Sequence, residues 1–276
     1  MTKPKVAVIQ FPGSNCEGES LRALDRAGLD GRLLRWTDSP QQVAAHAAYL
    51  LPGGFSYQDR IRAGAVAARL RVMDVVCRRA AEGAPVLGLC NGAQILVESG
   101  LVGDSTGAPR PPEDRAVPLV LAPNRITGRD GYYTRWIFLA PGTAAARCLF
   151  TRDLDESLPM PMAHGEGRFA SEDREARREL PADVALRYAN VRGEGARGFP
   201  ENPNGSLFDA AGVCNAAGNV LALMPHPERA QTLSQVPLWM DGAWGERRRA
   251  ADSFDLLESD GPGMELFYAL ARTLAS

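Results

Sequence analysis

Cys90 stands in the run Val86-Leu87-Gly88-Leu89-Cys90-Asn91-Gly92-Ala93-Gln94, with a glycine two residues before it and another two residues after. A thiol framed in this way is the cysteine form of the nucleophile elbow G-x-S-x-G. There the flanking side chains must be absent for the backbone to make a sharp strand-to-helix turn and hold the nucleophile out. Val86 to Leu89 has the length of a buried strand, and Asn91 to Leu101 has helical apolar spacing closed by Gly100. The first unpaired N–H groups of such a helix, and the positive end of its dipole, stabilise a thiolate. The competing reading of Cys90, a small buried hydrophobe, gives the two glycines no purpose.

A thiol nucleophile needs a base to take its proton and a third group to orient that base. Imidazole is scarce in this chain: only His46, His164 and His226 occur. In Pro225-His226-Pro227-Glu228 a histidine and a carboxylate alternate at the end of a strand. An extended backbone points both to one face, with the prolines stiffening it. His164 lies in Ala163-His164-Gly165-Glu166-Gly167, a glycine-flanked stretch whose backbone can pass close to a ligand. Residue chemistry leaves both histidines open as the base. Attack on a carbonyl also creates an oxyanion, for which Gly53-Gly54 and the N–H of Asn91 offer donors.

The elements that must position these groups read as an alternation. Lys5 to Phe11 is a β-branched run followed by Pro12-Gly13-Ser14-Asn15 and a helical segment from Cys16 to Ala27. Gly31 to Trp36 is a second strand, Ser39 caps a short helix through Ala47, and Ala48 to Leu51 is a third strand ending in Pro52-Gly53-Gly54. A long helix is expected over Arg60 to Ala81, before the Cys90 strand. This pattern predicts an α/β fold of three layers, a mostly parallel central sheet with helices on both faces. Sites in such sheets lie beyond the carboxyl ends of the strands, which brings Gly53-Gly54 and Cys90 together.

Farther on, residues 103–114 (GDSTGAPRPPED) read as an exposed loop. Val117 to Leu121, Thr134 to Leu139 and Val184 to Tyr188 read as strands, residues 124–131 as a turn, and Pro159 to Ala163 leads into His164-Gly165-Glu166-Gly167. Ser171 is expected to cap a charged helix reaching Leu180. Residues 193–205 are loop. Gly212 to Asn215 and Asn219 to Met224 frame a tight turn, and Met264 to Leu274 is an amphipathic closing helix.

The 276 residues fit one large α/β domain, and a net charge of -2 gives no reason to invoke nucleic acid or a membrane surface. Five scattered cysteines without a C-x-x-C pair argue against a disulfide framework and against a zinc site, so no metal is expected. No apolar run approaches the ~20 residues of a membrane span, and no basic N-terminal stretch precedes an apolar one. A cytoplasmic location is the expectation.

The elbow GLCNGAQIL, the upstream PGG and the downstream PHPE together resemble the class I glutamine amidotransferase domain. FPGSNC (11–16), PGGFSYQDRIRAGA (52–65), RW (135–136), AHGEGRF (163–169), NPNGS (202–206), GVCN (212–215) and MPHPERA (224–230) are more specifically similar to the glutaminase subunits of phosphoribosylformylglycinamidine synthase, which serves purine synthesis. The resemblance spans about residues 5–230 and leaves 231–276 as a C-terminal extension within a single domain, 1–276. It implies Cys90 as nucleophile, His226 as acid and base, and Glu228 as its orienting carboxylate. Gln94 and His164-Gly165-Glu166 are implied to hold L-glutamine. Gln58 departs from the pattern, standing where the family's FSYGD stretch has glycine.

The implied reaction is glutamine hydrolysis through a cysteine thioester, with ammonia passed on. No G-x-x-x-x-G-K-[ST] loop occurs, so ATP and Mg²⁺ are implied for a separate synthetase subunit, accompanied by a small accessory subunit. No cofactor is expected in this chain. Two other functions remain alternatives on this scaffold: another cysteine hydrolase, of the γ-glutamyl peptidase kind, or a binding module without catalysis.

Overall fold

The protein is described by a computed structural model covering residues 3–103, 119–125, 128 and 131–275. The expected loop at 103–114 lies outside the described residues except for Gly103. So do Val117 and Pro118 of the expected fifth strand, and residues 126, 127, 129 and 130 of the expected turn.

The first half alternates strand and helix. It runs β1 (Lys5–Gln10), α1 (Glu17–Arg26), β2 (Asp30–Arg35), α2 (Pro40–Ala44), β3 (Ala48–Leu51), α3 (Arg71–Ala81), β4 (Val86–Leu89) and α4 (Asn91–Glu98). The second half is mostly strand: β5 (Val120–Pro123), β6 (Tyr133–Pro141), β7 (Leu158–His164) and β8 (Glu166–Ala170), then α5 (Arg174–Asp183), β9 (Val184–Ala189), β10 (Ala210–Cys214) and β11 (Val220–Leu223). Helices α6 (Gly242–Ala250), α7 (Phe254–Leu257) and α8 (Met264–Ala275) close the chain.

A nine-stranded sheet carries the architecture, in the order β2-β1-β3-β4-β11-β10-β9-β6-β7, while β5 and β8 form a separate antiparallel pair. From β2 to β11 every neighbour is parallel. From β11 to β7 every neighbour is antiparallel. Seven of the nine strands therefore point one way, yet half of the neighbouring pairs are antiparallel, because β10 and β6 run against the rest. The sheet is mixed, with its parallel half as the alternation predicted.

Successive strand residues face opposite sides, and the core divides accordingly. Val6, Val8, Leu50, Leu87 and Leu89 pack in one layer with Leu24 of α1 and Leu266, Phe267 and Leu270 of α8. Ala7, Ile9, Tyr49, Leu51 and Val86 pack in the other with Val72, Met73 and Val76 of α3 and Ile95 and Leu96 of α4. Both faces are covered at β1, β3, β4 and β11, which are near-continuous apolar runs, whereas the edge strand β2 (DGRLLR) is polar and largely unburied.

Three local expectations need correction. The helix over 60–81 begins only at Arg71. Ile61 and Gly64 have φ of 71° and 81°, and a Cβ at Gly64 would lie 2.7 Å from the Gln94 and Ile95 backbone of α4. That close approach holds the segment in turns. The cap of α5 is Asp173, whose carboxylate accepts the Ala176 N–H at 2.8 Å; the Ser171 hydroxyl accepts the Asp173 N–H one turn earlier. Finally, His226 and Glu228 are not on a strand. β11 stops at Leu223, and Pro227–Arg229 is a single tight helical turn with His226 at its start.

Candidate active site

The carboxyl ends of β1, β3, β4 and β11 supply the chemistry-bearing turns, the place where open α/β sheets collect their sites. β4 sits between β3 and β11 and delivers Cys90 directly into α4. Cys90 has φ 50° and ψ −105°. Such a backbone costs on the order of 1–3 kcal/mol for a residue with a Cβ and persists only when its surroundings enforce it. The two glycines are that enforcement. A Cβ at Gly88 would lie 2.6 Å from the Gly92 carbonyl oxygen, and a Cβ at Gly92 would collide with the Leu51 carbonyl on β3. Gly100, at φ 70°, closes α4 as its N–H and that of Leu101 bond back to Val97 and Leu96.

His226 reaches the same place from β11. Its backbone N–H donates to the Pro161 carbonyl on β7 at 2.8 Å, and its Nδ1 meets Glu228 Oε1 at 2.5 Å. Because Glu228 is a carboxylate, Nδ1 carries the hydrogen in this bond, which leaves Nε2 to face the reaction. Nε2 makes no hydrogen bond of ordinary geometry among the described residues, and the thiols of Cys90 and Cys16 flank the ring. Gly53 makes room for this cluster: a Cβ there would lie 2.9 Å from the His226 ring and 3.0 Å from Cys16 Sγ. Burial pulls the imidazole pKa down, but the Glu228 carboxylate and the Cys90 and Cys16 sulfurs outweigh it and hold the pKa well above the ordinary histidine value.

A cavity of about 260 Å³ opens over these groups, and Cys90, Gln94, His164, Gly165, Glu166 and His226 line it. His164 comes no nearer to proton transfer than its wall. Burial and the neighbouring His226 lower its pKa to about 3, so it is neutral. Its Nδ1 meets Asn124 Oδ1 at 3.1 Å, and its ring occupies the space that a side chain at residue 167 would need, which makes Gly167 obligatory. Gln94 lines the cavity too, but its side chain is also structural. Nε2 donates to the Glu166 carbonyl at 2.6 Å and Oε1 accepts from Asn91 Nδ2 at 2.8 Å, tying the β7–β8 turn to α4.

Gly54 lines the cavity beside Cys90 at φ 148°, where a Cβ would lie 2.6 Å from Gly13 O and Ser14 Cα. The Asn91 side chain is buried and accepts the Ser56 N–H at 3.1 Å. Its backbone N–H opens α4, where the helix itself offers no acceptor. Gly54 therefore shares the cavity lining with Cys90, and Asn91 follows Cys90 directly in the chain.

Several residues with no role in the sequence reading hold the site. Cys16 Sγ accepts from Arg229 Nη2 at 3.1 Å, beside His226. Asn124 Nδ2 donates to the His164 carbonyl at 2.7 Å, and its backbone N–H donates to the Gly165 carbonyl at 2.8 Å. In the NPNGS segment, Asn204 Nδ2 donates to Gly167 O at 2.7 Å and the Ser206 hydroxyl accepts the Phe169 N–H at 3.1 Å, so that segment is a frame for β8. The density of Asn and Ser in NPNGS was the available signal. The extension after residue 230 also buttresses the site. Gln231 Nε2 donates to the Glu228 carbonyl at 2.6 Å, and the Gly263 N–H donates to the Ala230 carbonyl at 2.8 Å.

Among the described residues, Cys16, His226 and Glu228 bring ligand atoms within 4.8 Å of one another. Two of the three are already hydrogen-bonded to each other, His226 to Glu228, and the third, Cys16, accepts from Arg229. No described helix is long and apolar enough to cross a membrane.

A thiol on a strained elbow, beside an imidazole–carboxylate pair at the carboxyl end of a parallel sheet, defines a class: residues 3–271 match the model of the CobB/CobQ-like glutamine amidotransferase domain. The phosphoribosylformylglycinamidine synthase subunit PurQ of Methanothrix thermoacetophila is 43% identical over 84% of this chain and 89% of that protein. The Pyrococcus furiosus subunit PurQ is 37% identical over 82% of this chain and 89% of that protein. In the solved structure of PurLQS from Thermotoga maritima, a chain 28% identical superposes with a TM-score of 0.70, covering 99% of this chain and all of that one. The chain belongs to the PurQ family of glutamine amidotransferases.

Proposed function

We propose that this chain is the glutaminase subunit of phosphoribosylformylglycinamidine synthase, hydrolysing L-glutamine to glutamate and ammonia at Cys90. The observation that carries the reading is the His226–Glu228 pair, at 2.5 Å, beside a thiol held on a strained turn. His226 Nε2 takes the Cys90 proton, and the Glu228 carboxylate stabilises the imidazolium that results. The thiolate attacks the side-chain amide carbon of glutamine, and the N–H groups of Gly54 and Asn91 receive the oxyanion. His226 then returns the proton to the amide nitrogen as the C–N bond breaks, releasing ammonia and leaving a γ-glutamyl thioester. Water gives a proton to His226, attacks the thioester and expels the thiolate, which recovers that proton as glutamate leaves.

The chain needs no cofactor of its own for these steps. ATP and Mg²⁺ belong to a synthetase subunit that uses the ammonia, with a small accessory subunit completing the complex. The name PurLQS of the Thermotoga maritima relative supports such partners. Two assays test the reading: glutamate release by the chain alone and with its synthetase, and synthesis by the assembled Cys90→Ala complex. Cys90→Ala should lower glutamine-dependent synthesis by roughly 10⁴-fold or more and leave ammonia-dependent synthesis intact. Persistent glutamine-dependent activity in that variant would sink the proposal.

A further inference from the structure

The reaction consumes only the amide end of glutamine, yet the cavity extends to groups that take no part in it. Asp59 and Glu166 both line it. Asp59 Oδ1 is buried and has no hydrogen-bond partner among the described residues. Asp59 as a whole is only half-buried, so the rest of its carboxylate borders the cavity. The cations of the same segment are engaged elsewhere: Arg60 Nη2 donates to Gln58 Oε1 at 3.2 Å, and Arg62 grips Glu98 through two bonds of 2.6 Å. Arg229, the guanidinium lining the cavity, donates to Cys16 beside the catalytic cluster.

Resting on the glutaminase reading, we propose that Asp59, with Glu166 lining the same cavity, receives the α-ammonium of glutamine and makes the site select an amino-acid amide over a plain carboxamide. An ammonium has three donors and no acceptor, which matches two carboxylates lining one cavity. The electrostatics agree with the geometry. Burial first, and the Glu166 carboxylate second, push the Asp59 carboxyl up from its ordinary range, and a cation seated between the two acids relieves both. The Gln94 bond to the Glu166 carbonyl fixes the turn that presents the second acid. Asp59 is thus a specificity residue for the substrate's amino-acid end and has no part in proton transfer.

The experiment measures kcat and KM of the assembled complex for L-glutamine and for glutaramate, the same carboxamide without its α-amino group. Wild type should prefer L-glutamine. Asp59→Asn should raise KM for L-glutamine by roughly 10- to 100-fold, as expected when a charge-assisted hydrogen bond is lost, with kcat little changed and glutaramate turnover unaffected. Glu166→Gln should move the same ratio in the same direction by less. Equal losses on both substrates would assign Asp59 a structural role and overturn the proposal. A wild-type complex that does not discriminate between the two amides would overturn it with no variant needed, so it stays testable even if Asp59→Asn fails to fold. A wild-type complex that releases no glutamate from L-glutamine would instead overturn the glutaminase reading and take this proposal with it.

Discussion

The turn that carries His226 and the turn that carries His164 wall the same cavity, and each histidine is only 2% exposed. Their electrostatics are opposite. Both rings suffer desolvation, which favours the neutral form. At His226 a carboxylate and two thiols answer it and raise the pKa; at His164 the nearest polar partner is the neutral amide of Asn124, and the pKa falls to about 3. Burial alone therefore says nothing about which histidine can exchange protons. The charge of the partner decides, and the partners come from different layers of construction. Glu228 is local to its histidine, whereas Asn124 lies 40 residues away in sequence.

The strongest way to break this contrast is to remove the charge at the first turn. Glu228→Gln keeps the size and one acceptor but withdraws the negative charge, and should reduce kcat by roughly 10³- to 10⁴-fold, in line with the equivalent change in serine triads. Titration of His226 by NMR should show its pKa falling toward or below the free value. An unchanged pKa in that variant would mean that Glu228 does not hold the imidazolium.

The second turn is read through stability. His164 has a folded pKa of about 3, below the unfolded value of 6.5. Between those values the unfolded chain binds the extra proton, so stability rises with pH across the window and is lost as pH falls below about 6.5. At pH 5 that loss is about 2 kcal/mol, at 1.4 kcal/mol per unit. Urea midpoints of wild type and His164→Gln from pH 7 to pH 5 check it: the variant should lose less on acidification. Parallel curves would contradict a neutral buried His164.

A third wall gives the smallest effect. Tyr57, Gln58 and Asp59 all have φ between 54° and 60°, a region that favours glycine. The chain places glutamine where its family pattern has glycine, so Gln58→Gly should stabilise by about 1 kcal/mol or less, the relieved strain being partly offset by the greater freedom of glycine when unfolded. Thermal denaturation would show it. A clear loss of stability would mean that the Gln58 bond to Arg60 matters more than the backbone.

Much of the site was legible in the residues alone. Gly88, Cys90 and Gly92 announce a turn because only absent side chains permit it, and the close approaches of both glycines show that requirement met. The alternation through β4 was legible for the same reason, that periodicity is a local property. The segment 60–70 was not, because its departure from helix depends on contact with α4, thirty residues on. Nor was the pairing among β6, β7, β9 and β10, which join antiparallel across long connections, whereas the β10–β11 hairpin was legible in its tight turn.

By itself the sequence determined the sharp turn that presents the Cys90 thiol, the adjacency of His226 to Glu228, the parallel half of the fold and, through its motifs, the family. Those depend on spacing along the chain and on side chains that must be present or absent at given positions. Only the tertiary structure decided which histidine has its pKa raised and which lowered, that Gln94 and NPNGS brace the cavity wall, and that the extension past residue 230 supports the His226 turn. These depend on which distant groups share a buried space. In that space a partner's charge outweighs every local preference.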